Sequence, residues 1–219
     1  MKLLIGNKNY STWSLRPWFL LRHAGIPFEE ELVDFNADDF KARVKKHSPT
    51  GKVPVLVDGE LAVWDSLAIC EYVAEKFPEK GLWPHGRDAR AVARSTCAEM
   101  HSGFQEMRSR LTMNCQVRFT NVLVPKQARR EVARIIEIWR DCRQRFGADG
   151  PWLFGRFSVA DAFFAPVTLR FTTYGVELPA VAQEYVATVQ ASPALQEWVT
   201  AARAETSFVE EDEPYRESP

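Results

Sequence analysis

The sequence lacks any pair of cysteines or histidines at the spacing that a metal site or a redox dithiol needs. No C-x-x-C or H-x-x-x-H motif occurs among its four cysteines and four histidines. These residues are Cys70, Cys97, Cys115, Cys142, His23, His47, His85 and His101. A metal site or a dithiol is therefore not expected, and widely spaced thiols are typical of a reducing compartment.

Long apolar runs and an excess of charge of one sign are also lacking. The opening apolar stretch, KLLIG, is shorter than a signal peptide requires, and no segment approaches the ~20 apolar residues that span a bilayer. The 28 basic residues are balanced by 29 acidic ones, which gives a net charge of −1 at pH 7. We therefore expect a cytoplasmic protein that binds neither membranes nor nucleic acids.

Hydrophobic periodicity divides the 219 residues into two parts. Residues 1–80 predict elements in the order β-α-β-α-β-β-α, with a hairpin, which favours a small mixed α/β sheet domain. After a linker at 81–88, the pattern predicts only helices over 89–206. The acidic segment 207–219 is predicted to be disordered.

Hydroxyl groups cluster where the first predicted strand gives way to the first predicted helix. The segment NYSTWSLRPW holds Tyr10, Ser11, Thr12 and Ser14. A hydroxyl at this point either caps the helix or holds a reactive group. With Ser14 as the N-cap, Pro17 falls in the first turn, where its missing N–H costs nothing. Ser14 is thus the predicted cap, which leaves the other hydroxyls for chemistry.

Two further motifs have both a structural and a functional interpretation. Val53-Pro54 precedes a predicted strand. A trans proline at a strand edge is the commoner case, whereas a cis bond turns the Val53 backbone toward an extended peptide ligand. Asp65-Ser66 opens a helix, where Ser66 either acts as the N-cap or, with Asp65, holds the two charges of an α-amino acid.

Five segments in this order resemble the cytosolic glutathione transferases, in particular a serine-type, zeta-like member of bacterial style. They are NYSTWSLRPWFLLRHAGIPFE, HSPTGKVPVLVDG, DSLAICEYV, LWPHGRDARAVAR and PWLFGRFSVADAFFAPV. The resemblance implies a thioredoxin-like N-terminal domain, an all-helical C-terminal domain, a homodimer and a role in detoxification. It also implies a glutathione site on the first domain and a hydrophobic acceptor site between the two.

The resemblance also assigns roles in glutathione binding. Pro54 matches the family's cis proline, and Val53 matches the residue whose backbone pairs with the cysteinyl unit. Asp65 and Ser66 match the pair that holds the γ-glutamyl head, although Glu or Gln is more usual than Asp at the first position. The residues implied to bind glutathione are Ser11, Val53, Pro54, Asp65 and Ser66, with Lys52 or His47 for the glycyl carboxylate.

The zeta-like pattern S-S-C-S-W-R aligns with STWSLR and implies that Ser11 is the catalytic hydroxyl. Thr12 and then Tyr10 are the next candidates. Trp13 stands where that group has cysteine, which removes the mixed-disulfide chemistry of other classes. Ser11 is expected to donate a hydrogen bond to the glutathione sulfur and so to favour the thiolate.

The first helix of the C-terminal part is predicted from 88 to about 118, and it carries the expected acceptor residues on one face. These residues are Met100, His101, Phe104 and Arg108. An apolar wall with one cation suits an electrophile that bears an anionic group. The alternative is that Met100 and Phe104 are ordinary core residues and that Arg108 lies in solvent.

The predicted function is attack of an activated glutathione thiolate on a small hydrophobic electrophile, and two alternatives stay open. A glutathione-dependent isomerase, similar to maleylacetoacetate isomerase, loses support because Thr173 falls where that group has its substrate arginine, although Arg170 is close. A non-catalytic module that binds a protein partner needs neither Ser11 nor the Asp65-Ser66 pair.

Overall fold

A computed structural model of the chain describes residues 1–216 and 218. Its strands are β1 (Lys2–Ile5), β2 (Glu29–Leu32), β3 (Val55–Asp58) and β4 (Leu61–Trp64). They form one mixed sheet in the order β2-β1-β3-β4. β1 runs parallel to β2 and antiparallel to β3, and β3 and β4 form the predicted hairpin.

Helices cover both faces of this sheet. They are α1 (Thr12–His23), α2 (Phe40–Lys45) and α3 (Ser66–Lys76). Alternate side chains of β1 point to opposite faces, as strand geometry requires. Leu3 and Ile5 pack in the main core with α1, whereas Leu4 packs with Val44 of α2 in a second, smaller cluster. The predicted element order and the α/β, thioredoxin-like fold of this part are confirmed.

After α3, the regular elements of the described residues are helices, apart from single β-bridges within 152–156. Its helices are α4 (Arg87–Ser102), α5 (Gln105–Arg110), α6 (Lys126–Phe146), α7 (Val159–Thr173), α8 (Ala180–Gln190) and α9 (Pro193–Ala204). Short 3-10 turns lie at Pro78–Lys80 and Glu210–Asp212. None of the described helices combines the length and the apolar character that crossing a bilayer demands.

The prediction of one helix over 88–118 is wrong. α4 ends at Ser102, and Phe104 adopts the left-handed conformation with a φ of 61° before α5 begins. At Gly103 the backbone turns so tightly that an added Cβ would lie 2.9 Å from the carbonyl oxygen of Glu99. Glycine has no Cβ to meet this oxygen, which allows the chain to leave the helix at Gly103.

The prediction of disorder after residue 206 is also wrong for 207–216, while Glu217 and Pro219 lie outside the described residues. The Glu213 side chain is buried and accepts hydrogen bonds from the Tyr10 hydroxyl (2.8 Å) and from Asn114 Nδ2 (2.7 Å). The acidic composition of this segment does not reveal the contact, because it depends on a single carboxylate and on two donors that are distant in the sequence.

The two parts share one continuous core. The rings of Trp18 on α1 and Trp198 on α9 meet edge to face, with centroids 5.1 Å apart. Trp198 Nε1 also donates to the carbonyl oxygen of Lys8, at 2.9 Å. These contacts fix the chain after β1, which carries the hydroxyl cluster, against the helical part.

Candidate active site

Two adjoining cavities lie where the loop after β1 meets the helical part. The larger cavity has a volume of about 490 Å³ and the smaller one about 360 Å³. The larger cavity is lined by Tyr10, Ser11, Thr12, Trp13, Phe35, Phe40, Gly51, Lys52, Val53, Gln105, Arg108, Ser109, Arg170 and Asp212. The smaller cavity is lined by Trp13, Thr50, Lys52, Val53, Pro54, Trp64, Asp65, Ser66 and His101. Trp13, Lys52 and Val53 line both, so the two cavities are neighbours.

Ser11, not Ser14, is the N-cap of α1. Ser11 Oγ accepts a hydrogen bond from the backbone N–H of Ser14 at 3.4 Å and donates one to Ser14 Oγ at 2.8 Å. Pro17 therefore lies inside the helix rather than in its first turn. Because the cap comes three residues earlier than predicted, the Ser11 hydroxyl sits at the positive end of the helix dipole, in the wall of the larger cavity.

The neighbouring hydroxyls are placed differently. Tyr10 lines the larger cavity, but its hydroxyl donates to Glu213 Oε1 at 2.8 Å. Burial and this carboxylate raise the pKa of Tyr10 to about 12, which makes its hydroxyl a weaker donor to any other group. Thr12 is the first residue of α1 and also lines the larger cavity.

The smaller cavity collects the residues implied for the γ-glutamyl head. The Val53–Pro54 peptide bond is cis, as the resemblance implies. Asp65, rather than Ser66, is the N-cap of α3: its Oδ1 accepts from the backbone N–H of Leu67 at 2.8 Å. Ser66 Oγ is thereby left free of capping, and this buried hydroxyl has no hydrogen-bond partner within residues 1–216 and 218.

Arg16 is a second buried polar group without a partner near this point. Its guanidinium lies between the rings of Trp13 and Phe163, at 4.2 Å and 4.7 Å from their centroids. Its Nε and Nη1 make no hydrogen bond to the part of the chain that the structure describes. Burial, reinforced by Arg108 and Arg170, lowers the pKa of Arg16 to about 9. Arg16 lines neither cavity, so it adds positive charge next to the Trp13 wall without offering its donors to a ligand.

The structure separates the two candidates for the glycyl carboxylate. Lys52 is exposed and lines both cavities, whereas His47 lines neither. Lys52 is therefore the better placed of the two, and its amino group needs no desolvation to reach a carboxylate.

The four expected acceptor residues do not share one surface, because the helix that was to carry them is broken. Met100 and Phe104 are buried in the main core and line neither cavity. His101 lines the smaller cavity, where its Nε2 lies 3.2 Å from Asp65 Oδ2. Arg108 alone lines the larger cavity, and it is half-buried rather than solvated.

Sequence reasoning missed several residues of the larger cavity. Phe35 and Phe40 come from the loop before α2 and from the start of that helix, where no pattern distinguishes them from core residues. Asp212 belongs to the segment predicted to be disordered. Arg170 lines this cavity, whereas Thr173 is buried and donates to the carbonyl oxygen of Asn114.

Comparison with known proteins gives the class to which this site and fold belong. The model of the glutathione S-transferase N-terminal domain matches residues 10–76, and the model of the C-terminal domain of the same family matches residues 125–201. The chain therefore belongs to the glutathione S-transferase family.

Individual relatives are similar over limited segments. Dichloromethane dehalogenase of Methylorubrum extorquens is 52% identical over 60 residues, which are 26% of this chain and 21% of that protein. Glutathione S-transferase 1 of Dianthus caryophyllus is 33% identical over 115 residues, 52% of this chain and 51% of that protein. The chain thus spans between about a fifth and a half of these curated relatives.

Solved structures extend the likeness to the whole fold. A glutathione transferase homologue from Burkholderia, with bound glutathione, superposes with a TM-score of 0.70. The two chains are 23% identical, and the superposition covers 93% of this chain and 98% of the other. At this identity the likeness shows the shared fold.

Proposed function

We propose that the protein is a glutathione transferase that activates the glutathione thiol for attack on a small electrophile. The observation that carries this proposal is the buried Ser66 Oγ, which has no hydrogen-bond partner among the described residues and belongs to a residue that lines the cavity next to that of Ser11. A buried hydroxyl without a partner costs about 1–3 kcal/mol, which a ligand carboxylate at the start of α3 would offset.

The residues of the smaller cavity fit the two ends of glutathione. Ser66 and the adjacent backbone N–H groups of α3 suit the γ-glutamyl carboxylate, and Asp65 Oδ2 suits its ammonium. Lys52 suits the glycyl carboxylate. Val53, which lines both cavities, lies where the cysteinyl unit would pass from one to the other, with its sulfur toward Ser11.

Ser11 then acts as a hydrogen-bond donor to sulfur rather than as a nucleophile. A free thiol with a pKa of about 8.5 is only about 3% ionised at pH 7, and lowering that pKa by ~2 units requires roughly 2.7 kcal/mol. One charge-assisted hydrogen bond supplies about 1.5–3 kcal/mol, and the N-terminus of α1 adds about 0.3–1 kcal/mol. No general base is needed.

We also propose that the protein is a cytoplasmic homodimer with a role in detoxification. On the edge strand β4, the large apolar side chain of Leu61 is 49% exposed. An unpaired strand edge that carries such a side chain is typical of a surface that a second copy covers. Sedimentation of the purified protein tests the proposed dimer, because a monomer at micromolar concentration contradicts it.

Substitution of Ser11 tests the catalytic assignment. We expect Ser11→Ala to raise the pKa of the bound thiol, read from the pH dependence of thiolate absorbance, by about 1–2 units. At pH 6.5 kcat/KM with 1-chloro-2,4-dinitrobenzene should fall on the order of 10- to 100-fold. Ser95→Ala, on the exposed face of α4, is the matched control. If Thr12→Ala raises the thiol pKa and Ser11→Ala does not, Thr12 is the donor.

A glutathione-dependent isomerase is the second candidate. Thr173, which falls where that group has its substrate arginine, lies outside the larger cavity, but the nearby Arg170 lines it and could take that role. An isomerase returns glutathione unchanged, so it converts maleylacetoacetate without consuming thiol. A transferase consumes one thiol for each electrophile. Measuring free thiol during turnover therefore separates the two functions.

A further inference from the structure

The larger cavity carries an unbalanced positive charge. Lys52, Arg108 and Arg170 line it, and Asp212 is the single acid among its lining residues within the described part of the chain. Arginine stays protonated at any physiological pH. Asp212 offsets one of these charges, and Lys52 is exposed and assigned to the glycyl carboxylate, so a neutral electrophile would leave Arg108 without an ion-pair partner in a partly desolvated space.

Arg108 is held in place on one edge and open on the other. Its Nη1 donates to the carbonyl oxygens of Met100 (3.1 Å) and His101 (3.3 Å), at the broken end of α4. Its guanidinium carbon lies 5.3 Å from the centroid of the Trp13 ring. No ion pair joins it to a carboxylate of residues 1–216 or 218. The remaining N–H groups are therefore free for a ligand.

Arg170 is fixed by two backbone carbonyls and backs the same cavity. Its Nη1 donates to the carbonyl oxygen of Arg108, at 2.8 Å, and to that of Leu111. Because it is buried and already holds two acceptors, it contributes charge more than direct contact. The open contact belongs to Arg108.

Aromatic side chains line the cavity that Ser11 and Arg108 share. Trp13 forms one side, and Phe35 and Phe40 meet edge to face with ring centroids 5.4 Å apart. Flat rings of this kind favour a planar, polarisable substrate. The cavity of about 490 Å³ is large enough for one substituted benzene ring beside the glutathione sulfur.

From these observations, and resting on the proposed transferase function, we propose that the larger cavity takes an aromatic electrophile that carries a carboxylate, and that Arg108 is the residue that selects it. The guanidinium fork matches the two oxygens of a carboxylate. In the step itself, the glutathione sulfur forms a bond to the ring carbon that bears a halogen. The carbon–halogen bond breaks, halide leaves with its electron pair, and the thiol proton has already passed to solvent.

The experiment compares 4-chloro-3-nitrobenzoate with its neutral amide, 4-chloro-3-nitrobenzamide, each rate divided by its uncatalysed rate with glutathione. We expect the natural protein to favour the acid by about tenfold or more in kcat/KM. Arg108→Gln should lower kcat/KM for the acid about 10- to 100-fold and for the amide less than about threefold. Arg110→Gln, an exposed arginine on the same helix, should change neither.

Two more variants complete the test. Arg108→Lys keeps the positive charge but not the paired N–H groups of the guanidinium, so kcat/KM for the benzoate should fall less than in Arg108→Gln but more than in Arg110→Gln. This variant keeps the proposal testable if Arg108→Gln does not fold. Asp212→Asn removes the carboxylate that competes with the substrate for Arg108 and Arg170. It should lower KM for 4-chloro-3-nitrobenzoate and leave KM for the benzamide unchanged.

The outcomes separate the two proposals. Preference for the amide, or equal losses for both substrates in Arg108→Gln, overturns the carboxylate proposal while the transferase function stands. Absence of turnover for both substrates, together with no thiolate absorbance on addition of glutathione, overturns the transferase function and this inference with it.

Discussion

Ser11 Oγ and Ser14 Oγ lie 2.8 Å apart at the start of α1, and the backbone N–H of Gly6 donates to Ser14 Oγ at 3.2 Å. Ser14 is completely buried. When Ser11 turns its proton toward sulfur, the hydrogen bond between the two hydroxyls must reverse, so that Ser14 donates to Ser11. A hydroxyl that accepts one hydrogen bond is a stronger donor of its own.

We therefore predict that Ser14→Ala raises the pKa of the bound glutathione thiol by about one unit, although Ser14 touches no substrate. kcat/KM at pH 6.5 should fall about tenfold, and the loss should shrink above pH 8, where the thiol ionises without help. Thiolate absorbance against pH is the measurement, with Ser95→Ala as the control. An unchanged thiol pKa in Ser14→Ala contradicts the role given to this serine.

The two serines also show how far local sequence reaches. The pattern identified the hydroxyl cluster and the helix, but both Ser11 and Ser14 are good caps, and Pro17 favoured the later one. The earlier cap forms because Ser11 Oγ bonds both the N–H and the hydroxyl of Ser14. The Ser14 hydroxyl is in turn held by the backbone N–H of Gly6 at the end of β1. Helix-capping preferences of the local sequence do not include that hydrogen bond.

Other features that the sequence did not predict also depend on contacts between residues that are distant in the chain. The resemblance correctly implied the cis bond before Pro54, against the base rate that local sequence favours. The break at Gly103 and the burial of Glu213 came from contacts with distant backbone and side chains. The larger cavity therefore could not be assembled from sequence, because Arg108, Arg170 and Asp212 meet only in the folded chain.

Tyr10→Phe is predicted to spare the chemistry and to loosen the C-terminal segment. The Tyr10 hydroxyl already donates to Glu213, and its pKa of about 12 makes it a weak donor to sulfur. The pKa of the bound thiol should change by less than about 0.3 units. The buried Glu213 loses one donor, at a cost of about 1–3 kcal/mol, so amide hydrogens of 207–216 should exchange faster.

Tyr72→Phe is the matched control for Tyr10→Phe. Tyr72 donates to Asp58 Oδ2 at 2.6 Å, away from the C-terminal segment, and its loss should leave exchange over 207–216 unchanged. A thiol pKa in Tyr10→Phe close to that of free glutathione would identify Tyr10 as the activating group instead of Ser11.

Glutathione binding is predicted to weaken in acid through His101. Burial lowers the pKa of His101, opposed by Asp65 and reinforced by Arg16 and Arg108, so the uncharged ring is favoured and the negative charge of Asp65 is not neutralised by it. Because the pKa is lowered, protonation begins only below about pH 6.5, and the imidazolium then competes with the ligand ammonium for Asp65. The dissociation constant should rise as the pH falls through that range.

S-methylglutathione is the ligand for this measurement, because it has no thiol to titrate. His101→Asn should bind it with a weaker dependence on pH below 6.5 than the natural protein, whereas the exposed His85→Asn should retain the full dependence. Identical pH profiles for His101→Asn and the natural protein would show that another group is responsible.

The buried carboxyl of Asp161 is predicted to make the free energy of unfolding depend on pH. Its carboxyl accepts from the N–H groups of Leu153 (3.0 Å) and Ser158 (2.9 Å) and from the hydroxyl of Tyr185 (3.2 Å). Burial nevertheless outweighs these hydrogen bonds and raises the pKa of Asp161 to about 6, above the ~3.9 of an unfolded chain. A raised carboxyl pKa contributes stability that is complete below pH 4 and is lost as the pH rises through 6.

Asp161→Asn should destabilise the protein by about 3 kcal/mol at pH 4, because the amide nitrogen, unlike the hydroxyl oxygen of a protonated carboxyl, cannot accept a hydrogen bond from Ser158. The difference in free energy of unfolding between this variant and the natural protein should narrow, by on the order of 2 kcal/mol, as the pH rises from 4 to 7. Urea unfolding at several pH values measures this, with the exposed Asp149→Asn as the control. A difference that widens with pH would mean that the four donors, Ser158 Oγ included, stabilise the carboxylate more than burial penalises it.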